Sequence, residues 1–304
     1  MKKNELIQFF GDLELGEILF DEPMKNHTSF KIGGPVDVMI IPKNEEQLIN
    51  GIKICRNNHI DFYIMGNGSN LLVRDGGIRG VVIKINEGLS NIEIEGRKVY
   101  SQAGASLTGV SRRASRSSLT GMEFANGIPG TIGGGITMNA GAYGGELKDI
   151  IKKVRLLDKD NNIIEYSNEE MNFRYRASRV VDEGLIVLGV ELELRQGNYS
   201  EIEARIRELT KKRTSRQPLE LPSGGSTFKR PEGHYAGKLI EDSGLKGLIH
   251  GGAQVSEKHC GFVVNIDNAS CADVLGLISI IQKTVRDNFD VELEPEIKIV
   301  GEDN

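Results

Sequence analysis

Cysteine is scarce in this chain. Cys55, Cys260 and Cys271 are the three among 304 residues. They are odd in number, far apart and form no CxxC pair, which speaks against a disulfide framework or a zinc knuckle. A basic excess is lacking as well: 38 Lys+Arg stand against 43 Asp+Glu, a net charge of −5. That argues against a dedicated nucleic-acid binder. No apolar run reaches the roughly 18–20 residues that a membrane span requires. The opening Met1-Lys2-Lys3-Asn4-Glu5 lacks the apolar stretch of a secretory signal. The five histidines (His27, His59, His234, His250, His259) show no metal spacing, so no metal site is expected. Gly66-x-Gly68 runs on to Leu71, which breaks GxGxxG. Gly233 to Lys238 falls one residue short of a P-loop and lacks its Ser/Thr. A Rossmann or P-loop protein is therefore disfavoured, and a cytoplasmic protein without membrane insertion or nucleic-acid partner is the default.

Glycine, by contrast, is abundant. There are 37 among 304 residues, well above the typical ~7%, and they cluster without a collagen-like period. Clustered glycine marks backbone with positive φ or in close approach to something, here a large ligand held by main chain. The 38% hydrophobic content suffices for packed cores, and the length suggests two or three domains. Strands are expected at 36–42, 61–65, 80–85, 92–95, 98–102, 153–158, 162–166 and 185–195. Further strands are expected at 249–255, 262–266 and 291–300. Helices are expected at 45–58, 106–118, 200–212, 235–243 and 271–289. Ser200 with Glu203 reads as a capping box. Val274, Ile278, Ile281, Val285 and Phe289 share one face of the last helix. Pro218 to Gly225 reads as a boundary.

Two loops, Gly66-Asn67-Gly68-Ser69-Asn70 and Gly127 to Gly135, have the small residues from which N–H groups can form anion nests; ordinary tight turns are the plain alternative. Arg176 offers a planar fork that matches a carboxylate, although a lone arginine more often sits in a surface salt bridge. Ser226 lies in Gly225-Ser226-Thr227-Phe228-Lys229, which is not the G-x-S-x-G elbow. Glu292, Glu294 and Glu296 alternate, which on a strand places them on one face; Glu296 differs in being followed by apolar residues.

Taken in order, the motifs resemble one family. These are Asn26-His27-Thr28-Ser29-Phe30-Lys31-Ile32-Gly33-Gly34, Gly66-Asn67-Gly68-Ser69-Asn70-Leu71-Leu72, and Gly121 to Gly134 around Gly127-Ile128-Pro129-Gly130-Thr131. Met138-Asn139-Ala140-Gly141-Ala142-Tyr143, Tyr175-Arg176, Gly225 to Lys229, Gly252-Ala253-Gln254-Val255-Ser256 and Leu293-Glu294-Pro295-Glu296 follow. The set resembles the UDP-N-acetylenolpyruvoylglucosamine reductases of peptidoglycan synthesis, commonly called MurB, over roughly residues 26–301. Departures are Ala177, where the family often has Asp, and Gly134 and Gly224, where Ala is more usual. The short stretch between Arg176 and Ser226 is similar to the shorter subtype, which lacks a loop with a gating tyrosine.

The resemblance implies an α+β, three-domain flavoprotein with a vanillyl-alcohol-oxidase/cresol-hydroxylase-type FAD module. Residues 1–66 plus 291–304 would form an N-terminal FAD-contacting domain, 67–200 the FAD-binding domain and 201–290 the substrate domain. FAD would be bound non-covalently by Gly66, Asn67, Gly68, Ser69, Asn70, Leu71, Glu123, Ala125, Ile128, Pro129, Gly130, Thr131, Gly133, Gly134, Asn139, Ala140 and Gly141. His27 would not be a covalent flavin anchor. NADPH would reduce FAD, and hydride would pass from flavin N5 to the vinyl carbon of UDP-N-acetylglucosamine enolpyruvate, giving UDP-N-acetylmuramate. Arg176 and Glu296 would stabilise the enolate and Ser226 would donate the proton. Glu296 would have to be protonated, or shared with Arg176, to avoid repelling the substrate. Tyr175, Arg213, Lys229, Arg230, Lys246 and His259 are the candidate substrate contacts, and a monomer is expected. The rival readings are a flavin oxidase of the same fold, a non-catalytic nucleotide-sugar binder, and a module for another phosphate ligand.

Overall fold

The near-continuous apolar run at 36–41 is the pattern of a strand covered on both faces. In the computed structural model, which describes residues 3–11 and 13–303, it becomes the strand Pro35–Ile41, buried along its interior. It belongs to a four-stranded sheet ordered Glu17–Pro23, Pro35–Ile41, Ile78–Lys84, Phe62–Met65. The first pairing is antiparallel and the other two are parallel. A parallel return needs a crossover, here the helix Glu45–Asn57, capped by Asn44, whose side chain accepts from the Gln47 N–H at 2.9 Å. Leu48, Ile52 and Cys55 of that helix pack with Val38, Ile40, Val81 and Ile83 in the largest core; Val36, Met39 and Val82 close a smaller one with Met24 and Met65. The helix Lys3–Gly11 adds Leu6 and Phe10 to the large core. That helix and the strand Glu17–Pro23 were not among the expected elements.

The second sheet has five strands in the order Ile163–Ser167, Ile151–Leu157, Ile186–Glu193, Lys98–Gln102, Ile92–Glu95. Every pairing is antiparallel, so neither sheet is the open parallel sheet of a Rossmann fold. Arg155 clamps the two sheet systems together, its Nη1 and Nη2 donating to the two Glu45 carboxylate oxygens at 2.6 and 2.7 Å. The last third packs the helices Ala236–Asp242 and Cys271–Phe289 with a three-stranded sheet, Ile249–His250, Ala253–Val255, Val263–Asn265. Phe30, Ile32 and Leu72, from the N-terminal part, are buried in that same core.

Several expectations need correction. The break expected after residue 66 falls within the first sheet, because the strand Ile78–Lys84 beyond it pairs with Phe62–Met65 and Pro35–Ile41. The helix expected at 200–212 is Tyr199–Arg216, and Asn198, not Ser200, caps it by accepting from the Ser200 and Glu201 N–H groups. Glu203 instead accepts from the Ser115 hydroxyl at 2.5 Å, so a tertiary bond replaces the local box. The strand expected at 249–255 is split by a turn at Gly251, which takes a φ of +55°. Of the strand expected at 291–300, Lys298–Val300 forms. Residues 294–296 pair instead with 227–229, where Pro295 and Phe228 make an isolated bridge. Phe289, at the end of its helix, is 39% exposed rather than on the buried face.

The helix Cys271–Phe289 begins with a capping box of Ser270 and Asp273. It is capped a second time from far away: Asp75 accepts from the Cys271 N–H at 2.8 Å and the Ala272 N–H at 3.1 Å. A carboxylate there satisfies free donors and suits the positive end of the helix dipole. Asp75→Ala is expected to lower unfolding stability by about 1–2 kcal/mol, read by urea denaturation. An unchanged midpoint would mean that the local box suffices.

Candidate active site

Three segments far apart in sequence converge. The Phe228–Pro295 bridge is flanked by the Glu296 N–H donating to the Thr227 carbonyl and the Lys229 N–H donating to the Glu294 carbonyl, both at 2.8 Å. This ladder sets Thr227, the residue after Ser226, opposite Glu296. Thr227, fully buried, locks the ladder from behind: its N–H donates to the Gly261 carbonyl at 2.8 Å and its Oγ1 accepts from the Val263 N–H at 2.9 Å. Sequence reasoning passed over Thr227, which showed no signal beyond its place between Ser226 and Phe228. Ser226 is exposed, and its hydroxyl has no hydrogen-bond partner among the described residues. Gly225 precedes it with a φ of +82°. At Gly224 a Cβ would run into the Phe30 ring, so the departure to glycine there matches the packing of Phe30.

Arg176 enters from the second sheet system. Its Nε donates to Glu296 Oε1 at 2.6 Å, and the side chains are 20% and 13% exposed. Nη2 lies 3.4 Å from the Gly141 carbonyl. Glu296 thus holds the Nε side of the guanidinium and leaves Nη1 free of any partner among the described residues. A planar fork held this way can take a second carboxylate. Arg176 itself has a φ of +54°, an outlier for a long side chain. Its Cζ lies 4.9 Å from the centre of the Tyr175 ring. The Tyr175 hydroxyl accepts from the Arg230 N–H at 3.2 Å, which ties this turn to the segment that follows Ser226.

The first glycine loop is a donor cradle. The N–H groups of Asn67, Gly68, Ser69 and Asn70 have no partner among the described residues, while the Gly68 carbonyl accepts from Ser29 and Leu71. Gly68 has a φ of +62°, and a Cβ there would strike the His27 carbonyl. Successive free N–H groups around a left-handed glycine fit an anionic diphosphate. Asn70 also reaches the reacting cluster, with Nδ2 donating to the Glu296 carbonyl at 3.1 Å. Leu71 continues into the strand Leu71–Val73, paired in parallel with Lys298–Val300. A cavity of about 420 Å³ opens beside the loop, lined by Asn67, Lys84, Asn86, Glu87, Ser90 and Ser106. Lys84 donates to His27 Nδ1 at 2.9 Å, and His27 Nε2 lies 2.9 Å from Glu22 Oε1. Burial lowers the Lys84 pKa. This lysine was not singled out in the sequence; it is the last residue of the strand Ile78–Lys84, and a cation closing an apolar strand gives no hint of a cavity.

The second glycine loop differs. The Gly130, Ile132 and Gly133 N–H groups donate to the carbonyls of Ile128, Ala105 and Ala103, and Gly134 donates to Thr131 Oγ1. Its glycines serve close approach rather than donation. A Cβ on Gly66 would run into the Thr131 side chain, and one on Gly130 would lie 3.6 Å from Ser69 Oγ, so the two loops touch. Ile128 is partly buried, Pro129 is exposed and Ala125 is fully buried. The Glu123 carboxylate accepts from Thr120 Oγ1 at 2.6 Å and the Gly121 N–H at 2.8 Å, within its own turn. Asn139 is fully buried with its side chain consumed by protein, Ala140 packs against the core, and Gly141 lies against Glu146.

The cationic candidates separate. Lys229 pairs with Glu294, and the Arg230 guanidinium stacks 4.0 Å from the Tyr235 ring centre; both lie next to the cluster. Arg213 is not a surface cation. It is 8% exposed, faces Tyr143 at 5.5 Å, and its Nε and Nη2 find no partner among the described residues. Burial lowers its pKa, partly offset by Tyr143. It lies against Gly127, on the cofactor-loop side. His259 is half-buried with Nδ1 accepting from the Gly261 N–H at 3.1 Å, and burial lowers its pKa. Lys246 is exposed and 3.7 Å from Glu241. Among the described residues no contact joins it to the Arg176–Glu296 pair.

A fold without a Rossmann sheet, a donor cradle and a carboxylate–guanidinium pair together describe a flavoprotein of the class that holds FAD on glycine loops. Residues 36–167 match the model of the FAD binding domain, and residues 217–300 match that of the UDP-N-acetylenolpyruvoylglucosamine reductase C-terminal domain. The expected α+β fold with an FAD module and the FAD cofactor are borne out. The UDP-N-acetylenolpyruvoylglucosamine reductase of Caldanaerobacter subterraneus subsp. tengcongensis is 56% identical over 290 residues, 95% of this chain and 96% of the relative. That of Clostridium botulinum is 52% identical over 302 residues, 99% of this chain and 98% of the relative. The crystal structure of the Thermus caldophilus enzyme superposes with a TM-score of 0.81 at 33% identity, covering 94% of this chain and 98% of that one. The chain belongs to the UDP-N-acetylenolpyruvoylglucosamine reductase family. No helix among the described residues is long and apolar enough to cross a membrane.

Gly66→Ala is expected to push the two loops apart and cost about 1–3 kcal/mol of stability. The flavin content of purified protein, read from its visible absorbance, should fall with it. Full flavin occupancy would show that loop contact is not needed for the cradle.

Proposed function

We propose that the chain reduces UDP-N-acetylglucosamine enolpyruvate to UDP-N-acetylmuramate for peptidoglycan synthesis, with Arg176, Ser226 and Glu296 as the reacting residues. The observation that carries this reading is the Arg176–Glu296 pair, with Glu296 held by a backbone ladder opposite Thr227, the residue after the exposed Ser226. The chemistry that bound FAD would supply is the passage of hydride from NADPH to the vinyl carbon of the substrate. The free N–H groups of residues 67–70 would hold the FAD diphosphate, and the cavity beside Lys84 leaves room for more of the cofactor. The division of labour between an FAD module and a substrate-binding last third is part of the same proposal. So are a monomeric state and a cytoplasmic setting.

The residues' own chemistry follows from charge. Hydride addition leaves negative charge on the carbon next to the substrate carboxylate and, by conjugation, in the carboxylate itself. Arg176 meets that charge with its free edge, while Glu296 fixes the guanidinium plane through Nε. A fixed cation in a partly desolvated site stabilises developing charge without reorganising. Ser226 supplies the proton at the carbon. A hydroxyl is a weak acid, so this works because the enolate is strongly basic and because Lys229, three residues on, can stabilise the alkoxide. Arg230 would meet the diphosphate of the substrate, with Tyr175 holding its segment in place.

The test is an anaerobic visible spectrum. NADPH should bleach the flavin bands, and the enolpyruvyl nucleotide should restore them. Ser226→Ala should leave bleaching intact and slow restoration by about 10²–10⁴-fold. Arg176→Ala should slow restoration by about 10²–10³-fold while flavin content stays high. Equal loss in both half-reactions would remove Ser226 from the proton-donor role. Bands that return with oxygen but not with the nucleotide would favour an oxidase.

A further inference from the structure

Asn139 is fully buried and its side chain bonds to two other segments at once. Its Nδ2 donates to Glu146 Oε2 at 3.0 Å and to the Arg174 carbonyl at 3.2 Å, while Oδ1 accepts from the Lys148 N–H at 3.1 Å. Both donors of the amide are thus engaged, and its carbonyl oxygen accepts a bond. A carboxylate on one side and a backbone N–H on the other fix which way the amide faces. A hydrogen bond from Lys148, with those from Asn139 and the charge of Arg176, holds the Glu146 carboxyl below its usual range, so it stays an acceptor. The backbone of Asn139 is left-handed at φ +45°, which asparagine tolerates better than most residues. No part of this side chain is left to meet a cofactor.

What it holds is the turn at 174–177. The Arg174 N–H donates to the Ala177 carbonyl at 2.9 Å and the Ala177 N–H returns to the Arg174 carbonyl at 3.3 Å. Arg176 sits inside that turn at φ +54°, and Arg174 and Tyr175 are exposed. A long side chain keeps a left-handed backbone where its surroundings over-determine it. Two buried tethers do so here: Asn139 at the Arg174 carbonyl, and Ser178 Oγ donating to the Thr137 carbonyl at 2.9 Å. Both reach back to residues 137–139.

We propose that Asn139 is the positioning residue for Arg176: its amide clamps the 174–177 turn onto the 146–148 segment and aims the guanidinium at Glu296 and the substrate carboxylate. The proposal rests on the reading of Arg176 as the group that meets that carboxylate. A misplacement of about 1 Å at a reacting group costs about 10²-fold in rate, which sets the expected size of the effect.

The experiment uses the flavin-loaded enzyme and four variants: Asn139→Ala, Asn139→Asp, Arg176→Ala and Asn139→Ala combined with Arg176→Ala. Asn139→Asp retains the acceptor for Lys148 and removes the donor to Arg174. Hydrogen exchange of the Arg174 and Ala177 amides should quicken about tenfold or more in both Asn139 variants, with the strand Ile186–Glu193 unaffected. Restoration of the flavin bands by the enolpyruvyl nucleotide should slow about 10²-fold in each. Adding Asn139→Ala to Arg176→Ala should slow it no further, since a residue that acts through Arg176 has nothing left to position. Additive losses in the double variant, or turn amides that exchange as before, would overturn the proposal. Loss of flavin in both Asn139 variants would make the residue a cofactor contact, and faster exchange along Ile186–Glu193 would make it a general stability residue; either overturns it. Unaltered restoration in Arg176→Ala would instead bring down the reading of Arg176 on which the proposal stands.

Discussion

The ion pair between Arg176 and Glu296 joins residues 120 positions apart, and much of the molecule is organised to let it form. A partly buried pair loses hydration on both sides and regains it where geometry is tight and the other polar atoms are satisfied. Neither partner stands on a long regular element. Glu296 lies on an irregular segment pinned by the Thr227 carbonyl, the Phe228–Pro295 bridge and the Asn70 amide. Arg176 lies in a left-handed turn held from behind. A site built on loops is precise where every loop is bonded to something rigid. Here the rigid parts are the buried Thr227, locked to 261–263, and the buried Asn139, locked to 146–148.

The two glycine loops divide one task. Residues 67–70 offer four free N–H groups, an arrangement that suits an anion and would be costly if buried without one. Residues 130–134 have spent most of theirs inside the fold, with Thr131 packed against Gly66 and Gly130 facing Ser69. Glycine abundance therefore has two physical causes in this chain: positive φ at Gly68, and the absence of a Cβ at Gly66.

The regular elements were legible in the sequence where one pattern decided them. The helices at 45–57 and 271–289 and the hairpin at 92–102 carry clean periodicity or a clear turn, and they form close to the expected limits. Local rules failed where a distant residue won. Glu203 satisfies the Ser115 hydroxyl rather than a capping box, and 291–297 pairs as a short bridge rather than a strand because Pro295 cannot donate to a ladder. The pairing of 176 with 296 was legible through resemblance alone, since no spacing encodes a contact across 120 residues. Arg213 shows the limit in charge reading: it is expected as a substrate contact, and only the tertiary fold places it under Tyr143, with Nε and Nη2 unpartnered among the described residues.

Cofactor loop and reacting pair share an anchor. Asn70 ends the donor cradle, and its amide holds the Glu296 carbonyl, while its own carbonyl accepts from the Lys298 N–H at 2.8 Å. The parallel pairing of Leu71–Val73 with Lys298–Val300 carries that link into a strand. The loop, Glu296 and Arg176 are thereby joined in one run of hydrogen bonds. The proposed hydride transfer would need donor and acceptor carbon held in register within a fraction of an ångström, and a common anchor for the N–H cradle and the charged pair would supply that register without a long lever between them. On the proposed reading, the chain's last strand, remote in sequence from every glycine loop, would help to set the cofactor and the substrate against each other.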